Sequence, residues 1–483
     1  MGRSVLANLI IARLLPWWSG QDVYSYHGIV PYYCNVGLDW GALPPRPSGA
    51  QELAQVQVFV RHGARTQEGS DRCWEGDDLG HFACSPLGDG AGPAQESCPG
   101  QLVASGYQQE VNNGARLRDA YITREGLLSS SLSDAADALV VRSTDMERTR
   151  QSAMAVISGM FGELPDHRLP SAERDMGSLV GSRRLGEENM VINYGACPAA
   201  AWKAVRHFDS LRPTDAGDMQ EVCRHFRPQK EMTNKECAWW LTHLMDCLMS
   251  RACPTVPFDP HNKTVPGEFF DDDDKLLRHV WQVLDEVALG YFQEMVSTGA
   301  ISSLVGEVLE LAQRAAQGQA SLPRFLLYSG HDTGPMEPLS VALGLRDEPP
   351  YWPAFASMVI LEVWHSESGP IARWVIDGKV APGGAMPFDE FERQAKAIEK
   401  YGPRCFDEES LAYAAALAPA GFERLAAAPA ASAVLCSLAL ITLAVLVVRI
   451  RRGLGRASAW TASAVELCSC VDAALPSTPN ERV

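Results

Sequence analysis

Positive charge is the first thing this chain is short of. Its 42 Lys and Arg face 59 Asp and Glu, a formal net charge of −17. An acidic surface of that size excludes nucleic acid as a partner, because phosphate backbones are bound through basic patches. Internal repeats are missing too, which excludes solenoids and propellers. Histidines such as His207, His225, His243, His261 and His279 have no ligand spacing of the His-Glu-x-x-His kind, so no metal site is expected. The Gly-rich run Gly88–Gly92 follows no strand pattern and sits among prolines and cysteines, so it reads as a loop and not as a nucleotide cradle. Leu6 stands where a myristoylation signal needs Ser or Thr, and the last residues hold no Tyr-based sorting motif.

What is present is concentrated at three places. Residues 56–65 read VQVFVRHGAR: an apolar, β-branched run that stops at Arg61, His62, Gly63, Ala64 and Arg65. The run predicts a buried strand over Gln55–Val60, with the imidazole and two guanidiniums at its carboxyl end, where open α/β sheets bind ligands. Guanidinium forks match phosphate oxygens two at a time and stay charged at any physiological pH. The second place is LVVRSTDMERTRQSA, residues 139–153. It predicts a short strand over Leu139–Val141, then Arg142, then capping residues Ser143, Thr144 and Asp145 and helix formers from Glu147 to Ala153. A third guanidinium beside a helix amino end is a further anion site. The third is FLLYSGHDTGP, residues 325–335, where a strand over Phe325–Tyr328 delivers His331 and Asp332 into a Gly-bounded loop. Each stretch alone is compatible with an ordinary turn or cap; three together are not.

These three motifs, in this order, resemble the histidine acid phosphatase family, the acid phosphatase and phytase branch of the histidine phosphatase superfamily. The pattern Arg-His-Gly-x-Arg-x-Pro is matched at Arg61, His62, Gly63 and Arg65, and Gln67 replaces the proline. Arg-Ser-Thr-Asp with a following Arg-Thr is matched at Arg142–Asp145, Arg148 and Thr149, and the late His-Asp pair at His331 and Asp332. Gly106, Gln109, Gly114, Leu117, Arg118 and Tyr121 resemble the helix after the first motif; Phe355–Ser357, Glu362 and Trp364 resemble a late strand. The resemblance spans about residues 55–405. Loss of the proline bears on loop stiffness more than on chemistry. The resemblance implies hydrolysis of a small phosphomonoester with no cofactor. His62 would be the nucleophile, forming a phosphohistidine. Arg61, Arg65, Arg142 and His331 would hold the phosphate. Asp332 would protonate the leaving oxygen and then deprotonate water, which predicts an acidic pH optimum.

Further readings concern location. Leu425–Val448 holds no charged residue, and Arg449, Arg451, Arg452 and Arg456 follow it. That is long enough for a bilayer core of ~30 Å, with a stop-transfer flank placing 449–483 in the cytoplasm. Residues 1–20 resemble a weak signal peptide, interrupted by Asn8 and Arg13. Ten of the 13 cysteines fall on the outer side (Cys34, Cys73, Cys84, Cys98, Cys197, Cys223, Cys237, Cys247, Cys253 and Cys405), enough for up to five disulfides whose pairing the sequence leaves open. Asn262-Lys263-Thr264 is a glycosylation sequon, usable if that side is lumenal. Cys468 and Cys470 fit palmitoylation or plain thiols equally.

The expected fold is α/β: a mostly parallel central sheet flanked by helices, an inserted helical cap domain over about 160–270, and a C-terminal transmembrane helix. Met358–Trp364 would add a fourth strand, Lys235–Met249 a cap helix, and Leu276–Gln317 long helices returning to the sheet. The expected protein is a single-pass type I membrane-anchored acid phosphatase, with residues 21–424 extracellular or lumenal; pairing of two copies is compatible with it. Two alternatives stay open. One is a specialised phosphatase for inositol phosphates or phosphorylated glycan, since Ala64 resembles the phytase form of the first motif. The other is a catalytically silent surface protein that kept the fold.

Overall fold

The computed structural model describes residues 32–34, 41–68, 100–162, 179–183, 187–192, 197–209, 213–227, 230–253, 275–319, 322–346 and 351–399. The weak signal peptide over 1–20, Asn262, the apolar segment 425–448, the tail, and Cys73, Cys84, Cys98 and Cys405 lie outside those residues. Among the described residues no helix is long and apolar enough to cross a membrane.

A seven-stranded sheet runs in the order β3-β2-β4-β1-β5-β6-β7. Its strands are β1 (Ala50–Arg61), β2 (Leu139–Ser143), β3 (Val180–Ser182), β4 (Phe325–Gly330), β5 (Met358–Ser366), β6 (Ile371–Ile376) and β7 (Lys379–Pro387). The expectation of a mostly parallel sheet needs correction: the sheet is mixed. β3, β2, β4 and β1 pair in parallel, whereas β1–β5, β5–β6 and β6–β7 pair antiparallel. β5, β6 and β7 follow one another as hairpins. Asp377-Gly378 links Ile376 to its partner Lys379, and both residues have positive φ, 47° and 78°. That is the geometry a two-residue hairpin turn demands, and Asp-Gly is a standard pair for it.

β1 is the middle of the sheet, flanked by parallel β4 and antiparallel β5, and Val56 to Arg61 are buried throughout. A strand covered on both faces needs an unbroken apolar run, which explains VQVFV. Its glutamines are satisfied internally: the Gln57 amide donates to the Val308 carbonyl at 3.0 Å and the Gln55 amide to that of Pro323 at 3.0 Å.

One face is covered by α1 (Ala104–Leu117) and α2 (Glu147–Phe161). These helices meet backbone to backbone: a Cβ on Gly114 would lie 2.1 Å from the Val156 carbonyl oxygen. Above the carboxyl ends of the strands lie α3 (Pro198–Asp209), α4 (Pro213–Phe226), α5 (Asn234–Ala252) and α6 (Lys275–Val296). α5 starts at a capping box between Thr233 and Glu236, which satisfies the first amides of the helix. α4, α5 and α6 share a core that also takes in Tyr33, Ala64 and Phe355, so the cap is packed onto the first motif itself. The other face of the sheet carries α7 (Ser302–Ala316), α8 (Met336–Leu343) and α9 (Phe388–Glu399).

Disulfides join Cys34 to Cys253 and Cys223 to Cys237, and Cys197 and Cys247 are disulfide-bonded as well. Such bonds fit an oxidising, extracytoplasmic compartment.

Candidate active site

The carboxyl ends of β1 and β4 are adjacent, Arg61 opposite Gly330, and this register brings the first and third motifs together. The His62 amide then donates to the Gly330 carbonyl at 3.0 Å, and the Ala356 amide to the His62 carbonyl at 3.1 Å. The loop after His62 is pressed against the start of α1. A Cβ on Gly63 would fall 2.1 Å from the Gly106 carbonyl oxygen, so neither glycine can be replaced without moving backbone. The Gly63 amide donates to Ser152 Oγ at 3.2 Å and the Ala64 amide to Gln109 Oε1 at 2.9 Å, so both helices fix the loop.

His62 is buried, and its Nδ1 lies 2.9 Å from the Gly63 carbonyl oxygen. A carbonyl only accepts, so Nδ1 carries the hydrogen and Nε2 presents its lone pair. Burial, then the charges of Arg148, Arg61 and Arg65 and the nearby His331, hold the His62 pKa well below the ordinary histidine value. The ring is therefore neutral across physiological pH. Its centroid is 5.5 Å from that of His331, edge to face.

His331 faces Thr144 Oγ1 through Nε2 at 2.9 Å and Arg148 through Nδ1 at 3.5 Å. Guanidinium only donates, so Nδ1 accepts and Nε2 donates. Burial and the Arg148 charge push its pKa down to about 3. Thr144 is held in turn by Thr149 Oγ1 at 2.8 Å, and the Ser329 hydroxyl donates to the Thr149 carbonyl at 2.7 Å, which ties β2, α2 and β4 into one support.

Arg61 is wholly buried and pairs with Asp332 Oδ2 at 2.7 Å, donates to the Pro353 carbonyl at 2.7 Å, and lies over the rings of Tyr33 and Phe355 at 4.8 and 4.3 Å. Arg65 pairs with Asp246 Oδ1, from α5, at 2.8 Å and with Glu68 at 3.3 Å. Asp332 also accepts from the Thr333 amide at 2.8 Å and the Trp352 indole at 3.0 Å. Burial alone would raise the Asp332 pKa, but the Arg61 and Arg65 guanidiniums and the Thr333 amide outweigh it and hold the carboxyl below the ordinary value.

The structure thus brings together His62, Arg61, Arg65, His331 and Asp332. It does not bring the guanidinium of Arg142 to them. Arg142 pairs across the sheet with Tyr328, and its guanidinium lies over that ring at 5.8 Å, on the face covered by α7. There it is enclosed by Glu188 at 2.5 Å, Glu307 at 3.0 Å and Asn189. A strand has a period of two, so its position in β2 sends Arg142 with Tyr328 to the sheet face. The guanidinium that does reach the cluster is Arg148, in the first turn of α2, beside His331 and 3.1 Å from Glu68. The sequence carried Arg148 as part of the second motif, without a role. Its signal was position: a basic residue in the first turn of a helix that begins at a strand end. Tyr33, Trp352, Glu68 and Asp246 were not expected at all; Glu68 lies just beyond the first motif, and the other three come from segments far apart in sequence.

A strand-end imidazole with a free lone pair, three converging guanidiniums and an adjacent carboxylate, on a mixed α/β sheet with a helical cap, define a phosphate-handling enzyme. The sequence pattern of the histidine phosphatase superfamily (branch 2) matches residues 52–376, and the chain belongs to that family. It is accordingly a phosphoric monoester hydrolase by class. Counting factor 60 of Dictyostelium discoideum is 27% identical over 374 residues, covering 70% of this chain and 82% of that protein. Human 2-phosphoxylose phosphatase 1 is 27% identical over 290 residues, covering 56% of this chain and 52% of that protein. Human testicular acid phosphatase is 29% identical over 143 residues, 27% of this chain and 30% of that protein. Among solved structures, the Citrobacter braakii phytase superposes with a TM-score of 0.51 at 14% identity, over 74% of this chain and 99% of its own, a likeness of fold.

Proposed function

We propose that the chain hydrolyses phosphate monoesters by way of a phosphohistidine on His62, at acidic pH, on the outer side of a membrane that residues 425–448 cross. The observation that carries the reading is the His62 ring: neutral, buried, its Nδ1 hydrogen engaged by the Gly63 carbonyl and its Nε2 left to attack. Nε2 forms a bond to phosphorus as the bond to the leaving oxygen breaks, in line with it. Arg61, Arg65 and Arg148 surround the phosphoryl oxygens and stabilise the charge they gain, and His331 joins them by turning its Nε2 hydrogen from Thr144 to a phosphoryl oxygen. Arg142 is assigned no part in this. Asp332 protonates the leaving oxygen, then takes a proton from the water that cleaves the phosphohistidine.

In the resting site Asp332 is ionised, clamped to Arg61. A phosphate monoester that enters as its monoanion supplies the missing proton. Its oxygens draw the guanidiniums away from Asp332 and place negative charge beside it, and both effects raise the carboxyl pKa. The second ionisation of a phosphate ester lies near pH ~6, so the rate falls as pH rises past that value. The relationship to 2-phosphoxylose phosphatase supports a phosphorylated sugar as a second reading of the substrate.

The test is the purified chain assayed on a chromogenic phosphomonoester between pH 4 and 9, with alkali-quenched protein, in which a phosphohistidine survives, analysed by mass spectrometry. Turnover that peaks below neutrality, with phosphate trapped on His62 and both lost in His62→Ala, is the expected result. Undiminished turnover in His62→Ala overturns the nucleophile.

A further inference from the structure

One arginine of the cluster, Arg65, and the carboxylate Asp332 lie at the floor of a cavity of about 530 Å³ whose described walls come mainly from α5 and α6. Inner and outer parts of this space are chemically opposite. The floor presents Arg65 and Asp332; the walls above it are hydrocarbon and rings, among them Met245, Leu284, Tyr291, Phe292 and Trp352. The rings brace one another edge to face: Tyr291 against Phe292 at 5.2 Å, and Phe292 against Trp352 at 6.3 Å. Trp352 is pinned further, since its backbone amide donates to Asp285 at 2.9 Å and its indole to Asp332 at 3.0 Å. A wall held this way is pre-organised for a flat partner.

Charge limits what that partner is. Apart from Arg65 itself, the described wall holds His243 as its one basic side chain, and it holds the carboxylates of Glu68 and Asp246 beside Arg65. A second or third phosphate on the substrate would be carried against those carboxylates and into hydrocarbon, with no further guanidinium among the described wall residues to receive it.

We infer that this chamber takes the leaving group of a singly phosphorylated ester with an uncharged, flat, apolar ring, and turns away polyphosphorylated substrates. Asp246 is the specificity-determining residue: from the cap it engages Arg65 and accepts the Glu68 amide at 2.8 Å, so it sets both the reach of the floor and the negative charge of its rim. The inference rests on the phosphatase reading above and deepens it.

Three substrates separate the outcomes on the full-length chain: 1-naphthyl phosphate, xylose 2-phosphate and myo-inositol hexakisphosphate. The naphthyl ester should have the highest kcat/KM, at least about tenfold above the sugar ester and further above the hexakisphosphate. Asp246→Asn and, separately, Val287→Lys on the α6 wall should each raise the ratio of hexakisphosphate to naphthyl turnover by about tenfold, because one removes a repulsive charge and the other adds an attractive one. Equal use of sugar and naphthyl esters, a wild-type preference for hexakisphosphate, or ratios unmoved by both substitutions would overturn the inference and leave the phosphatase reading standing. Absence of His62-dependent turnover on all three would instead remove the phosphatase reading itself.

Discussion

Arg142 and Arg148 are six positions apart in one motif, both are largely buried, and they do different things. Arg142 ends a strand and is enclosed by Glu188, Glu307 and Asn189 on the α7 face, its charge neutralised from within. Arg148 starts a helix and stands beside His331, with the half-exposed Glu68 as its ion-pair partner. Its pKa is lowered, chiefly by burial. Arg142 is matched by carboxylates away from the cluster and holds the fold; Arg148 stands among the other cations beside His331 and is poised for an anion from outside. The distinction comes from partners, and residue type alone does not reveal it.

The largest effect expected bears on the cationic side of this comparison. His62→Ala should lower kcat by about 10⁴-fold or more, the scale seen when a nucleophile is removed. Arg148→Ala should lower kcat/KM by about 10²–10³-fold, comparable with losing one transition-state donor, with the thermal midpoint little changed. Arg142→Ala should show the reverse. It leaves Glu188 buried without its cation and costs roughly 3 kcal/mol of stability, the scale for breaking a buried pair, while the folded fraction keeps its kcat within about threefold. Denaturant melts and steady-state kinetics on both variants decide the matter; equal kinetic damage from the two would erase the contrast drawn here.

A smaller effect concerns pH and stability. Burial pushes the Glu337 pKa up to about 8, so the folded state holds a proton there that the unfolded chain releases near its ordinary value. That contribution is complete at low pH and is lost as pH rises toward 8. His62 and His331 act in the opposite sense: held below their ordinary value, they favour folding above pH ~6.5 and cost stability as pH falls below it. The thermal midpoint should therefore peak between those limits. Glu337→Gln, which keeps the uncharged form, should flatten the alkaline limb by a few degrees at most, measured by scanning calorimetry at pH 5 and pH 8. A midpoint in Glu337→Gln that falls between pH 5 and 8 as in the parent would remove Glu337 from that limb.

The three strands bearing the motifs were legible because burial on both faces demands unbroken apolar runs, and each observed strand contains its expected one: Gln55–Val60 within β1, Leu139–Val141 within β2, Phe325–Tyr328 within β4. The hairpin strands β6 and β7 were not anticipated, although Asp377-Gly378 between IARWVI and KVAPG was a usable turn signal. Expecting a mostly parallel sheet hid it. Within the site, residues that follow a strand directly were found from sequence, because chain direction alone places them. Which way Arg142 points depends on the pleat of β2 and on α7, a helix some 160 residues later, and no local pattern encodes that. Tyr33, Trp352 and Asp246 were invisible for the same reason: each arrives by tertiary packing.

The covalent link from Cys34 to Cys253 has a consequence for when this protein can work. It fastens Tyr33, whose hydroxyl receives a hydrogen bond from Arg61 at 2.7 Å, to the end of the helix that supplies Asp246. A thiol-rich environment that opened this bond would loosen two supports of the guanidinium cluster at once. Competence would then depend on redox history: reduction of this one bond would be expected to lower turnover without touching the chemistry-bearing residues.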